Sequence, residues 1–156
     1  TNGYSLIRHV LDGIDLAVHE PALDAAPIDL LLRPHRSYLG EVRALMSAGV
    51  ELRGMVHITG GGFWENPPRV LRPGLSMVVD RASWTVPPLF QWIQSRGQID
   101  DAEMFRVFNM GIGLLLVVSP EQVDEAMRAV PDELIRIGEI RESGGAPVEF
   151  VPAFQK

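Results

Sequence analysis

Residues 52–62, Leu-Arg-Gly-Met-Val-His-Ile-Thr-Gly-Gly-Gly, contain the pattern from which the fold prediction starts. The first seven of these positions are mostly apolar and predict a strand over residues 52–58. Three consecutive glycines follow it. They cost backbone entropy, so a strand end tolerates them only where the chain bends tightly or approaches another group closely. This stretch therefore predicts a strand that ends in a constrained loop.

The rest of the chain predicts strands and helices in mixed order. Apolar runs predict further strands over residues 75–80, 112–118 and 134–140, and an edge strand over residues 148–151. Helical spacing, caps and glycine stop signals predict helices over residues 4–11, 28–32, 37–49, 88–96, 100–107 and 119–130. Because strands and helices do not alternate strictly, the sequence favours an α/β (α+β) fold, a mixed sheet flanked by helices, over a Rossmann fold.

Length and composition predict one soluble globular domain over residues 1–156. Hydrophobic residues make up 46% of the chain and charged residues 22%, which excludes intrinsic disorder as the expected state. The chain begins without methionine, in residues typical of the inside of a loop, so we expect a fragment of a longer protein.

Charge and cysteine content narrow the functional classes. With 14 Lys and Arg against 20 Asp and Glu, the net charge of −6 argues against nucleic-acid binding, which requires basic side chains to neutralise phosphates. The longest apolar stretch, residues 110–118, is too short to cross a bilayer. The absence of cysteine excludes thiolate nucleophiles and fits a reducing compartment. We therefore expect a cytoplasmic protein that binds neither nucleic acid nor membrane.

The triple glycine is the strongest candidate for a binding site. The backbone N–H groups of Gly60, Gly61 and Gly62, together with the Thr59 hydroxyl, can form a concave nest for an anion such as phosphate. A flexible turn leading away from the strand is an equally good interpretation of the pattern alone.

Polar residues near the glycines are further candidates. His57 is the candidate general acid or base, although a hydrogen-bonded structural histidine fits its position as well. Asn66 can read a sugar or an amide and Arg69 can bind phosphate, unless both belong to an ordinary polar turn. Asn2 and Gly3, at a predicted helix start, offer a second anion-friendly position or a simple N-cap.

The remaining motifs carry weaker signals. Residues 108–113, Phe-Asn-Met-Gly-Ile-Gly, predict either close packing against the glycine loop or a ligand, or a β-bulge that enters a core strand. His9, His19 and His35 lack the spacing of a metal site, and no zinc-protease, Walker or nucleophile-elbow motif occurs. We therefore predict no metal site.

Four motifs in this order together resemble one family, the phosphoribosylformylglycinamidine cyclo-ligases, also called aminoimidazole ribonucleotide synthetases. The resemblance covers nearly the whole chain and concerns the C-terminal domain of that family. The motifs are Thr1-Asn2-Gly3-Tyr4-Ser5-Leu6, Gly54-Met55-Val56-His57-Ile58-Thr59-Gly60-Gly61-Gly62, Glu65-Asn66-Pro67-Pro68-Arg69-Val70-Leu71 and Phe108-Asn109-Met110-Gly111-Ile112-Gly113.

The resemblance implies a ligase of purine biosynthesis that closes the imidazole ring of formylglycinamidine ribonucleotide at the expense of ATP. It implies an N-terminal partner domain that binds most of the ATP and Mg²⁺, a full-length homodimer, and an isolated chain without activity. Asn2, Gly3 and residues 59–62 would then line the cleft, and His57 would assist proton movement. Residues 33–40 depart from the family pattern, with His35 in place of Thr, so we assign them no role.

Two alternatives remain at this point. One is a related enzyme of the same superfamily, such as selenophosphate synthetase, thiamine-monophosphate kinase or the hydrogenase-maturation dehydratase. The other is a non-catalytic interaction module, for which the apolar residues 114–118 and the three tryptophans could supply an interface.

Overall fold

The computed structural model describes residues 2–142 and 145–151. Its α-helices are α1 (Tyr4–Val10), α2 (Pro27–Leu31), α3 (Leu39–Ser47), α4 (Gly62–Glu65), α5 (Pro88–Gly97), α6 (Asp101–Val107) and α7 (Val123–Ala129). Its strands are β1 (Gly54–His57), β2 (Leu75–Asp80), β3 (Leu114–Val117), β4 (Gly138–Glu142) and β5 (Val148–Val151). Within this described part, no helix is both long and apolar enough to cross a membrane.

The strands form two sheets. β1 and β3 make an antiparallel pair in which His57 lies opposite Leu114. β2 is the centre of the second sheet, with β4 antiparallel on one side and β5 parallel on the other. The predicted mixed α/β class is confirmed, and the mixed sheet contains β2, β4 and β5, while β1 and β3 pair separately.

One large core joins both sheets to the surrounding helices. Phe63 of α4, Met104 and Phe105 of α6, Ile58 and Ile93 are almost completely buried. Full burial of a side chain of this size contributes roughly 1.5–3 kcal/mol to folding. The core therefore fixes α4, and the glycines that precede it, against α6.

A smaller core fixes α3 against α7. Its buried members are Leu45, Val50, Ala126 and Val130. Gln122, just before α7, donates to the Gly49 carbonyl oxygen at 3.1 Å, which connects the end of α3 to the start of α7.

Local sequence signals predict some elements well and others poorly. β2 has the predicted bounds, and the predicted cap of α6 is confirmed, because the Asp100 carboxylate accepts from the Glu103 N–H at 2.8 Å. The strand predicted over residues 134–140 is wrong in position. β4 begins only at Gly138, where the backbone lies so close to Val78 that a Cβ would be 3.0 Å from its carbonyl carbon.

Candidate functional site

The triple glycine forms a tight turn that leads into α4, not a flexible exit from the strand. The Gly62 N–H donates to the Thr59 carbonyl oxygen at 2.9 Å, which closes the turn. Gly61 and Gly62 have φ angles of 90° and 53°, in the left-handed region that favours glycine. We call residues 59–62 the glycine loop. The sequence did not predict α4, because three glycines are an unusual helix start.

Asn66 fastens the glycine loop from the inside. Its side chain is only 2% exposed. Its Oδ1 atom accepts from the Thr59 N–H at 2.7 Å and from the Thr59 hydroxyl at 3.2 Å, and its Nδ2 atom donates to the Gly60 carbonyl oxygen at 3.0 Å. These bonds occupy the Thr59 hydroxyl hydrogen and both ends of the Asn66 amide, so both side chains position the loop backbone.

Gly62 lies directly on the backbone of α6. A Cβ at this position would be 2.8 Å from the carbonyl carbon of Phe105 and closer still to its oxygen. A Cβ at Gly61 would be 2.6 Å from the Glu65 carboxylate, whereas one at Gly60 would meet no atom within 4 Å. The close approach that the sequence predicts is therefore made, at Gly62, to the protein's own backbone.

The anion-binding capacity of the glycine loop rests on two N–H groups. Within the described residues, the N–H groups of Gly60 and Gly61 have no acceptor, while that of Gly62 is used in the turn. The Glu65 carboxylate lies beside Gly61, and its negative charge opposes an anion bound at that end. The open side of the loop is at Gly60, which is exposed.

Asn2 and Gly3 lie against the same end of α6 as the glycine loop. The sequence offered Asn2 as a possible N-cap of α1, and the structure does not bear this out. The Nδ2 atom of Asn2 donates instead to the carbonyl oxygen of Val107 at the end of α6. A Cβ at Gly3 would be 2.9 Å from Cδ1 of the Phe108 ring and closer still to Cε1. The glycine loop and the Asn2-Gly3 segment therefore both contact residues 105–108, at the C-terminal end of α6. Thr1, the first residue of that motif, lies outside the described residues.

Arg69 follows the glycine loop on the short 3₁₀ turn Pro67–Val70. Its side chain is exposed, and it makes no ion pair in the part of the chain that the structure describes. The backbone N–H of Arg69 donates to the Asn66 carbonyl oxygen at 3.2 Å. The position of Arg69 is therefore tied to the residue that fastens the loop. An uncompensated guanidinium at this position is available to an anion.

His57 is exposed at the end of β1, and its neighbours Val56 and Ile58 are buried, as the alternation in the sequence predicts. Its Nε2 atom is 3.3 Å from Nε2 of His35, and the two ring centroids are 5.1 Å apart. The rings of Tyr38 and His35 pack edge to face with their centroids 5.9 Å apart, and burial raises the pKa of the Tyr38 phenol. The sequence predicts no role for His35. The available signal was that it departs from the family pattern.

The Phe-Asn-Met-Gly-Ile-Gly motif forms a turn before β3. The Asn109 side chain accepts from the Gly111 N–H at 3.0 Å, and a Cβ at Gly111 would be 2.7 Å from the Pro87 ring. The Gly113 carbonyl oxygen accepts from the Ile58 N–H at 2.9 Å. The motif thus fixes the chain just before the glycine loop, and its first glycine packs on residues 84–87.

A separate cleft of about 850 Å³ lies between the two sheets. β3 and β4 line its two sides, and Met77 and Val79 of β2 lie among its lining residues. Tyr38 and Gly113 also line it, and no residue of the glycine loop does. Among residues 2–142 and 145–151, no group of three or more His, Asp or Glu side chains is arranged to hold a metal ion.

Comparison with known proteins gives one consistent result. The sequence model of the family described as "AIR synthase related protein, C-terminal domain" matches residues 1–150. Similar curated proteins include phosphoribosylformylglycinamidine cyclo-ligase from Cupriavidus metallidurans, 42% identical over 97% of this chain and 44% of that protein. The protein of the same name from Burkholderia mallei is 42% identical over 92% of this chain and 41% of its own length. The one from Methylobacillus flagellatus is 41% identical over 97% of this chain and 44% of its own length. The chain spans less than half the length of these relatives.

Proposed function

Because the chain belongs to the family of AIR synthase related C-terminal domains, we propose that it is the substrate-side domain of a phosphoribosylformylglycinamidine cyclo-ligase. The family resemblance that the four motifs indicate is confirmed. The observation that carries the proposal is the 42% identity, over nearly the whole chain, to a protein with that name. The proposal places the chain in a ligase of purine biosynthesis.

The proposed reaction is the ring closure expected from that family. The formyl oxygen of formylglycinamidine ribonucleotide attacks the terminal phosphorus of ATP, and ADP leaves. The amidine nitrogen then attacks the formyl carbon and the C–O bond to phosphate breaks, so that inorganic phosphate and aminoimidazole ribonucleotide are the products. Negative charge passes through phosphate oxygens in both steps, which makes N–H donors and guanidinium groups useful.

The glycine loop and Arg69 supply such groups in the proposal. The N–H groups of Gly60 and Gly61 and the exposed guanidinium of Arg69 would bind the substrate phosphate. Thr59 and Asn66 contribute by holding the loop in place, and Gly62 by its turn and its contact with α6. Asn2 and Gly3, which also contact the end of α6, would face the same ligand.

His57 has the position and the chemistry for proton transfer. Its imidazole is exposed at the strand end that leads into the glycine loop, so in this proposal a substrate bound by the loop would lie near residue 57. An imidazole can accept the amidine proton near neutral pH. We therefore propose His57 as the catalytic residue.

ATP and Mg²⁺ would be bound mainly by an N-terminal domain outside these 156 residues. The donor set described here does not fit Mg²⁺, because it offers no cluster of carboxylates. No step through the metal is derived from these residues. The proposed parent enzyme is a cytoplasmic homodimer in which both domains enclose the substrate.

A domain exchange tests the proposal. The C-terminal part of the Cupriavidus metallidurans relative is replaced by this chain, and a dimeric, folded chimera is assayed for ATP-dependent formation of aminoimidazole ribonucleotide. We expect turnover by the chimera and none by the isolated chain. Substituting His57 by Ala in the chimera should lower kcat more than it raises KM, and Arg69→Ala should do the reverse. A folded chimera without turnover, or ring closure by the isolated chain, would contradict the proposal.

A further inference from the structure

Two imidazoles that are 22 residues apart in the chain meet at the surface beside β1. Nε2 of His35 and Nε2 of His57 are 3.3 Å apart, and the planes of the two rings are inclined by 77°. We propose that His35 and His57 form a two-imidazole site for a borderline transition-metal cation, of which Zn²⁺ is the representative. The site does not depend on the proposed ring closure.

The distance between the two nitrogens is the one that a shared metal requires. Zinc binds histidine nitrogens at about 2.0–2.1 Å, so two of them on a tetrahedral ion are about 3.3–3.4 Å apart. The observed separation is 3.3 Å. The same geometry places the two ring centroids about 5.2 Å apart, and they are 5.1 Å apart in the structure.

A direct hydrogen bond between the rings fits less well. A nearly straight N–H···N bond at the observed nitrogen separation of 3.3 Å would separate the centroids of the rings by about 5.6 Å. The observed centroids are 5.1 Å apart, so the two rings are bent away from the line that joins the nitrogens. A bent arrangement of this kind is the one that a shared ion requires.

The surroundings of the pair permit a cation. The nearest arginine in the chain, Arg36, is paired with Glu41 and Glu133, which compensate its charge. His35 is supported by the edge of Tyr38, and His57 is held in register by the β1–β3 pairing. Both imidazoles are exposed, so that water can complete the coordination shell.

The site differs from a structural zinc site in having two protein ligands. Since no third His, Asp or Glu joins the pair in the described part of the chain, we expect weaker binding than in a four-ligand site. A bound ion would occupy the lone pair of His57 Nε2. If His57 carries out the proton transfer proposed above, the ion would inhibit that step, and this consequence alone rests on the proposed function.

Zinc titration of the tag-free 156-residue chain tests the site. Affinity and stoichiometry are measured by competition with a fluorescent zinc chelator, and NMR of the imidazole resonances identifies the ligands. We expect one Zn²⁺ per chain, with His35 and His57 signals shifting together. His35→Ala and His57→Ala should each weaken binding roughly 10²-fold, because the second imidazole binds intramolecularly.

His9→Ala and His19→Ala are the controls. His9 is exposed on α1, and Nε2 of His19 lies 3.5 Å from the Asp24 carboxylate. Neither substitution should change the zinc affinity. All four residues are exposed, so circular dichroism should show the same fold in each variant. Wild-type affinity in His35→Ala, or loss of binding in His19→Ala, would overturn the proposal.

Discussion

Replacement of Gly62 by Ala should destabilise the protein far more than the same change two residues earlier. Gly62 has a φ of 53°, and an added Cβ would be 2.8 Å from the carbonyl carbon of Phe105 and 3.0 Å from the carbonyl oxygen of Arg106. These are backbone atoms of α6, so no side chain can rotate to make room. Relief requires α4 to move away from α6, with which it shares the buried contact of Phe63 and Phe105.

The magnitude follows from two contributions. A residue other than glycine in the left-handed region costs roughly 1–2 kcal/mol. Forcing an extra methyl group into a packed contact costs about 1–3 kcal/mol. The free energy of unfolding of Gly62→Ala should therefore fall by about 2–5 kcal/mol, a large part of the roughly 5–15 kcal/mol that stabilises a typical domain.

Urea unfolding of the wild type, Gly62→Ala and Gly60→Ala provides the measurement. A Cβ at Gly60 would meet nothing within 4 Å, and its φ is not positive. Gly60→Ala should therefore leave the midpoint unchanged or raise the free energy of unfolding by about 0.4–1 kcal/mol, since alanine restricts the unfolded chain. Equal midpoints for the two variants would refute the inference that the backbone approach, and not glycine content, determines this loop.

Two further predictions concern a buried amide and an ion pair. Asn66→Ala removes the partners of Thr59 and Gly60 in a buried position, so unfolding free energy should fall by about 2–4 kcal/mol; unchanged urea stability and unchanged protection of the Thr59 amide from hydrogen exchange would contradict this. The side-chain hydrogen bond from Arg81 lowers the pKa of Asp101 below its usual range, so the pair stabilises the fold above the ordinary pKa of an aspartate and loses its contribution as the pH falls through the lowered value. Asp101→Asn should cost less than about 1 kcal/mol at pH 6, because both side chains are about half exposed, and should approach the wild type as the pH falls through the lowered pKa of Asp101; a difference independent of pH would exclude the ion pair as its cause.

Elements with a complete local signal could be predicted from the sequence, and elements defined by a distant partner could not. The cap at Asp100 and the apolar run of β2 are complete within a few residues. β4 depends on the place where Gly138 lets the chain approach Val78, which is 60 positions earlier. The apolar run in the sequence begins at residue 134, four positions before β4 begins. The pattern of apolar residues therefore predicted the start of the strand too early.

The glycine loop shows how far a local pattern constrains a site. Three consecutive glycines correctly indicate a close approach, but the pattern is the same whether the approaching group is a ligand or another part of the chain. At Gly62 that group is the carbonyl of Phe105, and at Gly61 it is the side chain of Glu65. Of the three glycines, Gly60 alone has an open side for a ligand, so an anion proposed for this loop must bind mainly there.

The histidine pair illustrates the opposite case, in which the residue types were visible and their meeting was not. His57 belongs to a strand whose register with β3 fixes its position, whereas His35 precedes α3 in a segment without regular structure. The ring contact of His35 with Tyr38 and the ion pairs of Arg36 with Glu41 and Glu133 hold that segment in place. Since these contacts are tertiary, no spacing rule for metal ligands could have identified the pair. His57, which the strand pairing holds in place, is also the residue proposed for proton transfer. Substitutions at His35 would therefore create or abolish inhibition by a bound metal ion without disturbing the strand that carries His57.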